Sequence, residues 1–186
     1  MRIVVDLQGA QTTGSRSRGI GRYSVALTKA MAGCLGEHEL WIALSGSFPD
    51  TIDAVHRAFE DLVPAERFRV FETPRPTAEN TRENAWRNRA ACLVREHFFA
   101  GLRPDVLHVS SLFEGFGDDA ISSVAELEAS AATAVTLYDL IPYLRQHPYL
   151  TDASVKSWYL RKAQYLKRAN LLLAISESTR QEAIDA

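Results

Sequence analysis

Cysteine is scarce: Cys34 and Cys92 are the only two in 186 residues, and they lack CxxC spacing. A disulfide scaffold is therefore excluded, and both thiols are expected to be buried in a protein of the reducing cytoplasm. No stretch reaches about 18 consecutive apolar residues, so no membrane span is expected, and the run MRIVVDL is too short to read as a signal peptide. Neither sign of charge dominates. With 21 basic and 23 acidic residues the net charge is -2, which gives no pull toward nucleic acid. None of the five histidines has HxxxH or similar ligand spacing, so a bound metal is not expected. Repeats, low-complexity tracts and interdomain linkers are absent as well.

What is present is the composition of a globular domain, 46% hydrophobic and 24% charged. A chain of this mass buries about 70% of its unfolded surface, enough for one core but not two. Residues 1–186 are accordingly read as a single domain.

Periodicity alternates along the chain. Short β-branched or aliphatic runs at Arg2 to Leu7, Glu39 to Leu44, Arg67 to Phe71, Pro104 to Val109, Thr133 to Leu137 and Leu171 to Ile175 read as six buried strands. Between them lie helical patterns. One runs from Ile20 through Tyr23, Leu27, Ala30, Met31 and Cys34; another spans Thr51 to Leu62. The longest, Thr81 to Gly101, carries Trp86, Ala90, Leu93, Val94, His97 and Phe98 as its apolar stripe. A weaker segment covers Asp119 to Ala129, then come Asp152 to Ala169 and a final helix opened by Ser176. Strand–helix alternation with continuous Val, Ile and Leu runs indicates an α/β fold, a doubly wound parallel sheet of Rossmann-like kind.

Ligands of such sheets bind beyond the carboxyl ends of the strands. After the first strand comes QGAQTTGSRSRGIGR, whose Gly19 and Gly21 open a helix where free amides and the dipole favour an anion. Arg16, Arg18 and Arg22 add charge beside it; the plainer reading is a mobile loop with solvated arginines. The loop has neither GxxxxGK[ST] nor a complete GxGxxG. Ser24 stands where the third glycine belongs, and no acid follows Leu44-Ser45 to hold a ribose. After the fourth strand, Phe113 and Phe116 frame Glu114 among glycines, suiting a sugar site; alternatively the rings are core plugs. After the fifth, Tyr138-Asp139 is the candidate catalytic pair, which can orient a hydroxyl or accept a proton; alternatively it braces the loop. The helix after Asp152 bears Lys156, Arg161, Lys162, Lys167 and Arg168, either a solvated face or one that meets an anionic membrane surface.

In order, MRIVVDLQGAQT, RGIGRYSVALTKAM, RPDVLHVSSLFEGF, VTLYDLIPYL and LKRANLLLAISESTRQE resemble bacterial family-4 (group 1) glycosyltransferases, mannosyltransferase-like members that build surface polysaccharides and lipopolysaccharide. The resemblance covers essentially the whole chain. It implies the N-terminal, acceptor-side half of a GT-B architecture, with the C-terminal donor-binding domain outside this chain. By that resemblance Gly19, Gly21 and Arg22 would line the cleft near the donor diphosphate and sugar, and Glu114, Phe113 and Phe116 would face the acceptor. Tyr138 and Asp139 stand where relatives carry His-Asp, and a tyrosine, with a pKa of about 10, is a poor base at neutral pH. Glu177 and Asp185 are spaced like the family's EX7E segment but end in Asp and fall in the other domain.

The expectation is thus one half of a retaining, metal-independent transferase that needs no cofactor. It would move a hexosyl group, mannosyl from GDP-mannose, onto a lipid-linked or polysaccharide acceptor. Its partners would be the nucleotide sugar, the glycan and its own C-terminal domain, not nucleic acid, with peripheral contact at the inner membrane surface. A non-catalytic carbohydrate- or phosphate-binding module and a nucleotide-cofactor oxidoreductase are the alternatives.

Overall fold

The computed structural model describes residues 1–127 and 131–186. All six expected strands are present: β1 Arg2–Asp6, β2 Glu39–Ser45, β3 Phe68–Phe71, β4 Val106–Val109, β5 Ala132–Leu137 and β6 Leu171–Ala174. They form one sheet in the order β3-β2-β1-β4-β5-β6, every pair parallel. Parallel neighbours cannot be joined by tight turns, so helices cross over the faces, and the order reverses between β1 and β4 as in Rossmann-like domains.

The helices are α1 Gly19–Gly33, α2 Pro49–Ala58, α3 Ala85–Gly101, α6 Ala153–Leu166 and α7 Glu177–Asp185, with single turns α4 Ile141–Leu144 and α5 Gln146–Tyr149 in the loop after β5. On one face α1 and α2 cover Val5, Leu7, Leu40, Ile42 and Leu44. On the other, α3, α6 and α7 close over Val4, Phe71, Leu107, Val109, Val135 and Leu137. At the sheet's edge β6 buries less than its LLLAI run suggests: Leu172 joins the core, whereas Leu171, Leu173 and Ile175 are exposed.

Three expectations are corrected. The inward face of α3 is not the apolar stripe: Trp86 is 66% exposed and Leu93 and Val94 face solvent, while Ala91, Cys92, Arg95, Glu96 and Phe99 are buried. Polar side chains occupy that face because they have partners beneath it, so hydropathy alone misphases the helix. Helix α1 likewise packs through the small residues Gly21, Ser24 and Thr28, leaving Tyr23 and Cys34 exposed; Cys92 alone of the two thiols is buried. Finally, residues 119–127 form no helix; the last two residues of that expected segment lie outside the described residues.

Non-helical backbone in a buried place needs other hydrogen-bond partners, and side chains supply them here. Arg95, 0% exposed, forms an ion pair with Asp6, which is 2% exposed at the end of β1, and its Nη1 donates to the Ser123 carbonyl at 3.2 Å. Gln8 Nε2 donates to the Asp6 carboxylate and to the Ile121 carbonyl (2.6 Å), and its Oε1 accepts from the Ile121 amide (3.0 Å). Glu96 accepts from Ser123 Oγ and the Leu127 amide. Lys162 Nζ donates to Ser122 O and Oγ, both at 2.7 Å.

Replacing Arg95 with Met is expected to lower the unfolding free energy in urea by about 3–5 kcal/mol, because Asp6 stays buried without its counter-ion. Arg95→Lys is expected to recover only part of that loss, since one ammonium cannot reach both Asp6 and Ser123 as a guanidinium fork does.

Candidate functional site

The carboxyl edge of the sheet brings together the loops after β1, β4 and β5. The first folds back on the helix it leads into: the Gly21 amide donates to the Ser15 carbonyl at 3.1 Å. A Cβ on Gly21 would lie 2.5 Å from that oxygen and 2.7 Å from Arg16 Cα, so only glycine lets the loop close over the first turn of α1. Around Gly19 there is open space. No side chain caps α1, and the amides of Gly19 and Ile20 donate to nothing among the described residues. The positive end of a four-turn helix therefore faces outward beside Arg22, whose guanidinium donates to the Ser17 carbonyl. Arg16 is drawn away by Asp50, at 2.7 Å.

Glu114 lies under this loop. It is 6% exposed and accepts from Thr12 Oγ1 (3.0 Å), Ser15 Oγ (2.5 Å) and Ser111 Oγ (2.8 Å). Burial raises its pKa, and the three hydroxyls oppose that rise. The carboxylate thus clamps the glycine-rich loop to the end of β4. The chain turns at Gly115, whose φ of +90° and whose hypothetical Cβ, 2.2 Å from the Ala120 carbonyl, admit no side chain. Phe113 and Phe116 consequently lean the other way, onto α6: Phe113 stacks on Tyr159 with ring centroids 4.6 Å apart, and Phe116 meets Trp158 at 5.3 Å. The three residues expected to act together are split between two sides of one loop.

Tyr138 is a tie between elements. Its hydroxyl lies 3.1 Å from Ser24 Oγ, with the carbonyls of Ser110 and Ile20 at 3.2 and 3.3 Å, and its ring meets the edge of Tyr23 at 5.7 Å. Burial raises its pKa further, which removes it from service as a base near neutrality. Asp139 is exposed, its Oδ1 accepting from the Ile141 amide at 3.1 Å.

Two buried residues with roles here carry no hydropathic signal. Gln11 seals the end of β2: its Oε1 accepts from the Ser45 amide at 2.7 Å, and its Nε2 donates to the Ser45 carbonyl at 3.1 Å. A dinucleotide site would carry its ribose-binding acid at the end of this strand, where this chain has Ser45. Ser24 couples α1 to Tyr138 and is nearly fully buried. Among the described residues no group of three His, Cys, Asp or Glu side chains is placed to hold a metal ion, and no helix is long and apolar enough to cross a membrane. The basic set on α6 is no continuous face: Lys162 is buried, Arg161 pairs with Glu79 and Arg168 with Glu126.

Because burial favours the neutral form of Glu114, it contributes stability at acid pH that is lost as pH rises from the ordinary value of 4.5 through its raised pKa. Glu114→Gln keeps the shape without the charge. Urea unfolding of both proteins between pH 4 and 8 is expected to show wild type losing ground to the variant as pH rises; a constant difference would remove the buried charge from the account.

No family model matches the chain, and no solved structure matches it. Among curated proteins it is 36% identical over 186 residues, all of this chain and 22% of the relative, to the serotype-specific mannosyltransferase WbdA of Escherichia coli. Two further Escherichia coli sequences of the same name are 34% and 32% identical over 160 residues, 86% of this chain and 20% of each relative. The chain spans about a fifth of the length of these relatives. From end to end, it is similar to a segment of the WbdA mannosyltransferases.

Proposed function

We propose that this chain is the acceptor-side domain of a retaining, metal-independent glycosyltransferase that moves a mannosyl group from a nucleotide sugar such as GDP-mannose to a lipid-linked or polysaccharide acceptor. The observation that carries the reading is the end-to-end similarity to mannosyltransferases in a chain whose α1 amides stand uncapped at the carboxyl edge of the sheet. Donor nucleotide recognition belongs to the rest of the parent polypeptide, its partner across the cleft. Contact with the inner face of the cytoplasmic membrane would come through a lipid-linked acceptor, since the α6 cations are largely engaged within the chain.

The chemistry follows from charge. As the sugar–phosphate bond breaks, negative charge grows on the departing diphosphate, and the free amides of Gly19 and Ile20 with the α1 dipole and Arg22 stabilise it. The acceptor oxygen bonds to the anomeric carbon on the face the diphosphate leaves, and its proton passes to the departing phosphate oxygen. No protein nucleophile or base is required. Glu114 holds the loop in place, Tyr138 fixes the α1 terminus against β4 and β5, and Asp139 accepts a hydrogen bond from a sugar hydroxyl.

The 186-residue chain alone is expected to turn over no GDP-mannose in a nucleotide-release assay; turnover by rigorously purified chain would overturn the half-site reading. Within the longer polypeptide, Tyr138→Phe is expected to reduce kcat by less than about tenfold, whereas loss of a general base costs about 100-fold or more. A loss of that larger size would restore a chemical role for the phenol.

A further inference from the structure

We propose a second carbohydrate-binding site, in a cavity of about 640 Å³ between the segment preceding α3, the first turns of α3, and α6. It would hold a neutral oligosaccharide stretch of the acceptor, behind the end that reacts. The proposal rests on the glycosyltransferase reading and extends it to a part of the molecule with no role in the cleft.

The cavity has the size of a small-molecule site and both kinds of wall that a sugar chain needs. One wall is Trp158, half-buried, held by the rings of Phe113, Phe116 and Tyr159 and not by a hydrogen bond: its Nε1 has no partner among the described residues. An indole so held offers an apolar surface to the C–H face of a pyranose. At the rim stand Arg82 and Arg89, both exposed, whose side chains make neither a hydrogen bond nor an ion pair among the described residues. Planar guanidinium forks suit paired hydroxyls as well as anions. Two carboxylates, Glu79 paired with Arg161 and Lys162 and Glu126 paired with Arg168, also line the cavity, and their remaining lone pairs can accept from hydroxyls. Acceptors beside donors favour a polyol over a phosphate, and the start of α6 offers no free anion site because Asp152 caps the amides of Ser154 and Val155.

The cavity is also joined to the candidate active site by backbone. The Glu79 and Asn80 amides donate to the carbonyls of Gly115 and Phe116, at 3.1 and 2.8 Å. One loop therefore presents Glu114 to the glycine-rich loop and Phe116 to the Trp158 wall. A glycan laid against Trp158 lies beside the loop whose other side shapes the cleft, as a chain-extending enzyme needs if it is to hold a product while its end is presented again.

The test is titration of the 186-residue chain with linear α-mannotetraose, followed by saturation-transfer NMR and calorimetry, with maltotetraose and inorganic phosphate as further probes. Saturable mannotetraose binding is expected. Losing hydrogen bonds from charged groups is expected to weaken it at least about tenfold in Arg82→Ala/Arg89→Ala, both of whose sites are exposed, and Trp158→Phe should weaken it too. Arg22→Ala should leave it unchanged. No saturable glycan binding, equal binding by the double variant, or displacement of mannotetraose by phosphate would each overturn the site. Preference for maltotetraose with the same variant pattern supports the site and overturns the mannosyl assignment. Mannosyl transfer by the longer polypeptide, together with a pocket that binds no glycan, overturns this inference and leaves the function standing.

Discussion

The ion pair between Asp6 and Arg95 is the constraint on which the rest of the molecule depends. Asp6 closes the central strand β1, and its charge is buried where only a paired and hydrogen-bonded carboxylate is tolerable. Arg95 satisfies it from α3 and in the same stroke reaches Ser123. With Gln8 bonded to both Asp6 and the backbone of Ile121, the end of β1 becomes the anchor for the irregular segment leading toward β5. Glu96 and Lys162 complete the attachment from α3 and α6. This segment forms neither helix nor strand over residues 119–127 and is held by these side chains instead. It underlies the β4 loop, with Ala120 against Gly115 and Ser122 Oγ donating to the Leu112 carbonyl.

The same device recurs above the sheet on a smaller scale. Glu114 gathers three hydroxyls from two loops, Gln11 pairs with both backbone groups of Ser45, and the Tyr138 hydroxyl joins α1 to β4 and β5. Each is a polar group at least partly buried, and each has a partner more than 25 residues away. Preorganisation of the α1 terminus follows from these ties together with the close approach at Gly21, and the Gly19 and Ile20 amides have no protein partner among the described residues.

The strands were legible because each is a short aliphatic or aromatic run, and the inner ones, β1, β2, β4 and β5, are buried along most of their length. Helix α3 was not, and the reason is specific. Arg95 and Glu96 look like solvated residues until Asp6 and Ser123 are seen beneath them, so the stripe of Trp86, Leu93 and Val94 was assigned to the core and lies in solvent. Lys162 misleads in the same way: it counts toward a basic face in the sequence and hydrogen-bonds Ser122 in the fold, its pKa lowered to about 8 by burial. At the candidate site, the glycine-rich loop and the carboxylate of Glu114 were visible as chemistry. That Glu114 turns inward while its neighbouring phenylalanines turn toward α6 depends on the left-handed turn at Gly115.

By itself the sequence determined the six strands, the five long helices, the parallel sheet, and the glycines from which loop and helix terminus are built, since these depend on local conformational preference and on hydrophobic period. Tertiary structure decided which polar side chains are interior. Burial of Asp6, Gln8, Gln11, Arg95, Glu114 and Lys162 is stabilised by partners distant in the chain. No local pattern reports such a partner, because a charged group reads the same in sequence whether water or a buried counter-ion will solvate it.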